Sequence, residues 1–136
     1  MTQTEKELLL RDLCARLPYS IKASYYGADE ECETWDEVDG VAFDYVEIGH
    51  YSLPIERIKP YLFPLSSMTE EQKKYISNKW GINEEFDFEI DPNWGEYFVE
   101  LGYTVEFVDW LNKNHFDYRG LIDKSLALDA TGLNIY

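Results

Sequence analysis

The stretch Thr104 to Ala130, TVEFVDWLNKNHFDYRGLIDKSLALDA, decides the fold that we predict for this chain. Phe107, Val108 and Leu111 recur at helical spacing, and the first threonine of the stretch is suited to cap the helix that they define. Asp117 follows a short polar connection and is suited to cap a second helix. That helix would bury four apolar side chains: Leu121, Ile122, Leu126 and Leu128. We therefore predict two packed helices, an αα-hairpin.

The residues upstream predict a helix followed by a small sheet. Thr4-Glu5-Lys6-Glu7 has the pattern of a capping box, and Pro18 stops the helix that it opens. Residues 19–26 alternate between apolar and polar side chains, which predicts a half-buried strand. Residues 33–38 form a possible short strand, and Gly40 turns the chain into an extended segment at residues 41–48. Short connections of this kind favour an antiparallel meander.

The middle of the chain carries mixed signals. Residues 52–65 are punctuated by prolines, which predicts one helical turn and then irregular chain across the end of the sheet, with Tyr61, Leu62 and Phe63 buried. Capping boxes beginning at Ser67 or at Thr69 predict the next helix. Residues 86–91 and 97–101 predict a second hairpin.

The predicted fold is a single α+β domain over residues 1–136. It has a small antiparallel sheet that is covered by an N-terminal helix and a C-terminal helix pair. The alternative is an SH3-like small barrel with appended helices, because several short strands precede a single proline-bounded helical turn.

The charge of the chain restricts its partners. With 27 acidic and 12 basic residues, the formal net charge is −15. Such a surface repels nucleic-acid phosphates and anionic lipids, so direct binding to either is disfavoured.

No apolar run reaches transmembrane length. Cys14 falls among apolar helix positions and is expected in the core, while Cys32 lies in an acidic loop. Two cysteines and no signal peptide favour a reduced, cytoplasmic protein.

No stretch has the pattern of a known catalytic or metal site. His115, Asp117 and Arg119, with Asp109 nearby, are candidates for a small catalytic or anion-binding cluster, because a carboxylate can orient a histidine. Capping by Asp117 and ion pairing by Arg119 explain the same residues more simply. The two histidines do not suggest a zinc site, and no motif calls for a cofactor.

Two long stretches, residues 23–56 and 80–112, contain no lysine or arginine but are rich in carboxylates and aromatic side chains. The candidate binding residues in these stretches are Tyr26, Trp35, Asp36, Glu37, Trp94 and Tyr97. A solvated acidic face is the simpler interpretation of such stretches. The functional hypothesis is a non-enzymatic accessory protein that binds a protein partner, possibly a basic one, through an acidic, aromatic-rich surface. The alternatives are a small enzyme or ligand-binding protein that uses the His115 region, and a nucleic-acid mimic.

Three segments carry a resemblance: LCARLPY (13–19), KPYLFPLSSMTEEQ (59–72) and DWLNKNHFDYRGLIDKSLALDA (109–130). They resemble a family of small uncharacterised proteins encoded by gut Bacteroides-type bacteria and their phages or prophages. The resemblance implies an intracellular accessory protein associated with a mobile element. It supplies no catalytic residues to transfer.

Overall fold

The computed structural model describes residues 1–26, 33–80 and 105–136. Within these ranges the α-helices are α1 (Gln3–Arg16), α2 (Glu70–Trp80) and α3 (Val105–Lys113). The strands are β1 (Lys22–Tyr26), β2 (Glu33–Val41), β3 (Tyr45–Ile48), β4 (Tyr51–Pro54), β5 (Ile58–Pro64), β6 (Phe116–Asp117) and β7 (Leu128–Asp129). Short 3-10 turns precede β1 at Leu17–Tyr19, precede β5 at Ile55–Arg57 and follow it at Leu65–Ser67.

The strands form one open, mostly antiparallel sheet in the order β4-β3-β2-β1-β5-β6, with β7 also paired to β5. Only β6 and β7 run parallel to their neighbour among the pairings described. The α+β class is therefore confirmed. The single helical turn on which the SH3-like alternative was based is present at Ile55–Arg57. In the part of the chain described, however, the pairing path does not come back to β4, so the sheet is not closed into a barrel.

Two apolar clusters form the core. The larger one lies between α1 and the inner face of the sheet, where Leu9 and Leu13 pack with Ile21, Ile58 and Leu62. The smaller cluster joins α2, α3 and β6, and its buried members include Ile76, Phe107, Leu111, Phe116 and Tyr118. Burying side chains of this size contributes about 1.5–3 kcal/mol each.

The second helix of the predicted αα-hairpin is wrong. Residues 118–127 form turns instead, between the short strands β6 and β7. Asp117 does accept from two backbone amides, those of Leu121 and Ile122, as a capping residue would. Gly120 then adopts φ 72° and Ser125 φ 60°, and such left-handed residues interrupt a right-handed helix. The apolar side chains that suggested the helix, Leu121 and Leu126, are nonetheless buried.

The prediction for residues 58–64 is also wrong in part. This stretch is the strand β5, paired to β1 on one side and to β6 and β7 on the other, rather than irregular chain at the sheet end. Ile58, Pro60 and Leu62 alternate inward, while Tyr61 and Phe63 are half-buried. A proline in a strand removes one N–H donor from the sheet but leaves its carbonyl and side chain in place. The alternation of buried and less buried side chains along β5 therefore persists despite its two prolines.

The register of α1 differs from the prediction. Its capping box is made by Thr2 and Glu5, two residues earlier than predicted. The buried face of α1 consists of Leu9, Asp12, Leu13 and Arg16. Cys14 is consequently exposed, and its predicted core position is wrong. At α2, by contrast, the capping box beginning at Thr69 is confirmed by reciprocal hydrogen bonds with Gln72.

The meander prediction is confirmed with shifted boundaries. Strand β2 runs through Gly40 to Val41, and the turn predicted at Gly40 falls at residues 42–44 instead. Strands β3 and β4 are joined by Gly49 and His50, both at positive φ, as the twist of a two-residue hairpin requires. A side chain on Gly49 would collide with the Tyr25 hydroxyl.

Several predictions lie outside the described residues. They are the hairpin at residues 86–101, the loop around Cys32, and the candidate binding residues Trp94 and Tyr97. None of the described helices combines the length and apolarity needed to cross a bilayer.

Candidate functional site

One exposed face of the sheet carries both aromatic rings and carboxylates, spread along β2 and β3. Strand register defines it: Val38 pairs with Ile48, and both are buried on the inner side. Side chains alternate along a strand, so Glu37 and Glu47 point outward, as do the residues two positions before each of them. We call these four residues the aromatic–acidic face: Trp35, Glu37, Tyr45 and Glu47. Trp35 is 47% exposed and Tyr45 52% exposed, and both glutamates are exposed.

The aromatic–acidic face contains only part of the set predicted from sequence. Trp35 and Glu37 belong to it. Asp36 does not, because it pairs with the inward-facing Ala23 on the opposite side of β2. Its carboxylate accepts from the Glu37 amide at 2.7 Å, so it stabilises the strand locally. The backbone of Tyr26 lies in β1, opposite Glu33, and its side chain is outside the description.

Sequence reasoning missed the residues that β3 contributes to the face. Tyr45 and Glu47 were included in a predicted strand but were not identified as a surface. The turn before β3 adds Phe43, which is 79% exposed. Alternation with the apolar Val46 and Ile48 was the signal that could have found the outward residues.

Charge is segregated across this side of the sheet. The carboxylates of Glu37 and Glu47 lie on β2 and β3, and neither forms an ion pair within the ranges described. Lysines on the same side come from β1 and β5: Lys22 pairs with Glu37 in the register, and Lys59 pairs with Ser24. The carboxylates therefore lie on different strands from the lysines, although the Lys22 ammonium extends to the Trp35 ring on β2.

Lys22 shows how an ammonium group sits on this face. Its Nζ lies 5.3 Å from the centroid of the Trp35 ring and 5.7 Å from that of Tyr136. The same nitrogen donates to the backbone oxygen of Ile135 at 2.7 Å. The Trp35 ring thus makes a cation–π contact, worth about 0.5–1 kcal/mol at an exposed site.

His115 follows α3 in a left-handed conformation, with φ 61°, and it is buried. Its ring stacks on that of Tyr136, with centroids 3.7 Å apart and planes inclined by 15°. Nδ1 is buried and has no hydrogen-bond partner among the described residues. Burial, assisted by the positive charges of Arg16 and Lys22, lowers the pKa of His115 to about 4. The imidazole is therefore neutral at pH 7.

The other members of the predicted catalytic cluster have structural roles. Asp117 accepts from two backbone amides; burial raises its pKa, and those hydrogen bonds oppose the shift. Arg119 donates from Nη1 to the Asp12 carboxylate at 2.8 Å. Asp109 is exposed on α3. His115 alone of the four lines a cavity, of about 440 Å³, so the structure does not assemble them around a common reaction centre.

A buried ion network at Asp12 was not predicted. Arg16 is completely buried, donates from Nε to Asp12 at 2.8 Å and from Nη2 to the Phe116 oxygen at 2.6 Å. Burial alone would lower the pKa of Arg16, but the charge and hydrogen bond of Asp12 raise it above its usual value. Arg119 completes the coordination of Asp12. This network joins α1 to β6 and to the turn after it.

No group of three or more His, Cys, Asp or Glu side chains in the described ranges is arranged to hold a metal ion. Comparisons of the chain with protein-family models, with curated proteins and with solved structures give no significant match.

The neutral, buried His115 predicts a pH-dependent stability. An unfolded histidine titrates near pH 6.5, whereas the folded one titrates at about 4, so the unfolded state binds more protons between these values. Stability conferred by the buried imidazole is present above pH 6.5 and is lost as the pH falls toward 4. We expect the wild type to lose about 2 kcal/mol more than His115→Asn between pH 7 and pH 4.5.

Urea denaturation at each pH measures this difference. Asparagine tolerates the left-handed backbone of position 115 and does not titrate. The raised pKa of Asp117 acts in both proteins and cancels. Parallel pH profiles for the two proteins would show that His115 is not buried in its neutral form.

Proposed function

We propose that this protein is a non-enzymatic binding module that recognises a basic segment of another protein through the aromatic–acidic face. The observation that carries the proposal is the exposure of two aromatic rings and two carboxylates on one side of β2 and β3, the carboxylates having no ion-pair partner among the described residues. An arginine or lysine of a partner can stack on such a ring while a carboxylate neutralises its charge.

The net charge of −15 supports the same partner class. A negative field steers basic proteins toward the acidic side of the sheet and raises association rates, an effect that salt screens. In this proposal the protein acts in the cytoplasm. The accessory role implied by the family resemblance would make the partner a host or phage protein.

The energies involved set the size of the partner segment. One exposed cation–π contact contributes about 0.5–1 kcal/mol, and one exposed ion pair contributes about the same or less. Micromolar affinity requires about 8 kcal/mol. A single basic residue is therefore insufficient, and the proposal requires an extended segment that contacts several residues of the face.

Fluorescence anisotropy with a labelled peptide of alternating arginine and glycine tests the proposal. A citrulline peptide of equal length is the uncharged control. We expect Trp35→Ala to weaken binding of the arginine peptide by about fivefold, the equivalent of one lost cation–π contact. Tyr75→Ala is the matched control, because Tyr75 is similarly exposed at 43% but lies on α2.

The outcomes separate the proposal from its alternatives. Equal binding of the arginine and citrulline peptides, or no binding of either at low salt, would refute it. Binding carried by charge alone would use the carboxylates without the aromatic rings. In that case the double variant Glu37→Gln, Glu47→Gln would lose binding and Trp35→Ala would not.

A further inference from the structure

A second candidate site lies away from the aromatic–acidic face. A cavity of about 440 Å³ opens where α2, the end of α3 and β5 meet. Its lining residues are Phe63, Ser67, Thr69, Gln72, Lys113, Asn114, His115, Phe116 and Tyr136. The volume falls within the range of about 300–1,000 Å³ that is typical of small-molecule sites. We propose that this cavity binds a small aromatic monocarboxylate.

The walls of the cavity suit a flat apolar ring. The rings of Phe63 and Tyr136 are 5.9 Å apart and inclined by 54°, and those of Phe63 and Phe116 are 6.4 Å apart and inclined by 59°. The His115 ring adds a further aromatic surface, held against Tyr136. These rings pack against one another, so together they give the cavity an aromatic wall.

The charge of the lining is opposite to that of the protein. The chain has 27 acidic residues against 12 basic ones, yet the lining contains the basic side chain of Lys113 and no acidic side chain. Lys113 is exposed at the end of α3 and has no ion-pair partner within the described residues. His115 is neutral at pH 7, so it adds polarity without charge. A lining with one basic side chain and no acidic side chain favours a monoanion.

The polar atoms that remain free also favour a carboxylate over a phosphate. Thr69 and Gln72 satisfy each other's backbone amides at the start of α2, which leaves the side-chain N–H groups of Gln72 to donate. Asn114 donates to the Trp110 oxygen, and Ser67 to the Pro64 oxygen. The donors left over are few, and the lining contains no arginine. A dianionic phosphate normally takes a richer set of charged donors.

Two-dimensional ¹H–¹⁵N NMR titration tests the proposal with indole-3-acetate and with its uncharged analogue indole-3-acetamide. For a ligand of this size we expect a Kd of about 1 mM or below for the acid. The amide should bind about tenfold more weakly, the loss of one charge-assisted hydrogen bond. The backbone N–H signals of the protein that shift should belong to the residues that line the cavity.

Lys113→Met should reduce the affinity for the acid about tenfold and leave that for the amide unchanged. Lys124→Met, at an exposed lysine outside the lining, is the matched control and should bind as the wild type does. Trp35→Ala should also bind normally, which keeps this test independent of the proposed protein-binding face. Equal affinities for acid and amide, shifts outside the cavity, or no shifts at about 5 mM would overturn the proposal.

Discussion

Asp12→Ala should destabilise the protein by about 3–5 kcal/mol, the cost of leaving a buried charge without its partner. Both carboxylate oxygens of Asp12 are engaged, one by Arg16 and the other by Arg119, each at 2.8 Å. Arg119 can reach solvent in the variant, since its side chain is 14% exposed. Arg16 cannot, because it is fully buried and its Nη1 already has no partner among the described residues. The full penalty therefore falls on Arg16.

Urea denaturation measures the loss, with Asp123→Ala as the matched control at an exposed aspartate. The control should change the free energy of unfolding by less than about 0.5 kcal/mol. The double variant Asp12→Leu, Arg16→Met removes both buried charges and should recover most of the stability. If Asp12→Ala were no more destabilising than Asp123→Ala, the ion network would not be buried as described.

Phe107→Ala should also cost about 3–5 kcal/mol. Phe107 is fully buried on α3, and its ring centroid lies 5.2 Å from that of Trp80 and 6.5 Å from that of Trp110. Truncation removes one of the aromatic contacts that join α3 to α2 and leaves a cavity in the smaller apolar cluster. Since a domain of this size is usually stable by about 5–15 kcal/mol, the variant would lose a large part of its stability.

The matched control lies on the same helix. Val105 is 76% exposed, so Val105→Ala should leave the unfolding midpoint in urea nearly unchanged. Alanine also has a higher helix propensity than valine, so this substitution has no cause to destabilise α3. Similar midpoints for Phe107→Ala and Val105→Ala would contradict the position of α3 over the core.

Local patterns predicted much of the fold. Alternation located β1, and the helical spacing of Phe107 and Leu111 located α3. The same reasoning failed after Asp117, because a cap that holds two amides can begin either a helix or a turn. Gly120 has a positive φ, which is compatible with the turn and not with a right-handed helix. The spacing of apolar residues carries no information about the φ angle of a glycine.

The ion network at Asp12 could not be read from local patterns. Asp12 and Arg16 are four residues apart on α1, and such pairs usually lie on a solvated helix face. Their burial depends on Arg119 and on the carbonyl of Phe116, which are separated from them by 107 and 100 residues respectively. Contacts of that sequence separation are set by the tertiary fold.

The candidate sites were predicted in part for similar reasons. Trp35 and Glu37 were identified as binding residues from composition, and the structure places them together on an exposed face. Asp36 was grouped with them because proximity in sequence was considered without strand alternation. His115 was paired with Asp117 and Arg119 for the same reason, whereas its actual neighbours include Tyr136, which lies far away in sequence.

The proposed function is tested most directly by mapping where a basic peptide binds. In a ¹H–¹⁵N NMR titration with the arginine–glycine peptide, we expect the largest shifts at the Trp35 indole N–H and at the backbone amides of Glu37, Tyr45 and Glu47. Shifts confined to residues outside the aromatic–acidic face, or the absence of shifts at low salt, would contradict the proposal that this face recognises a basic partner.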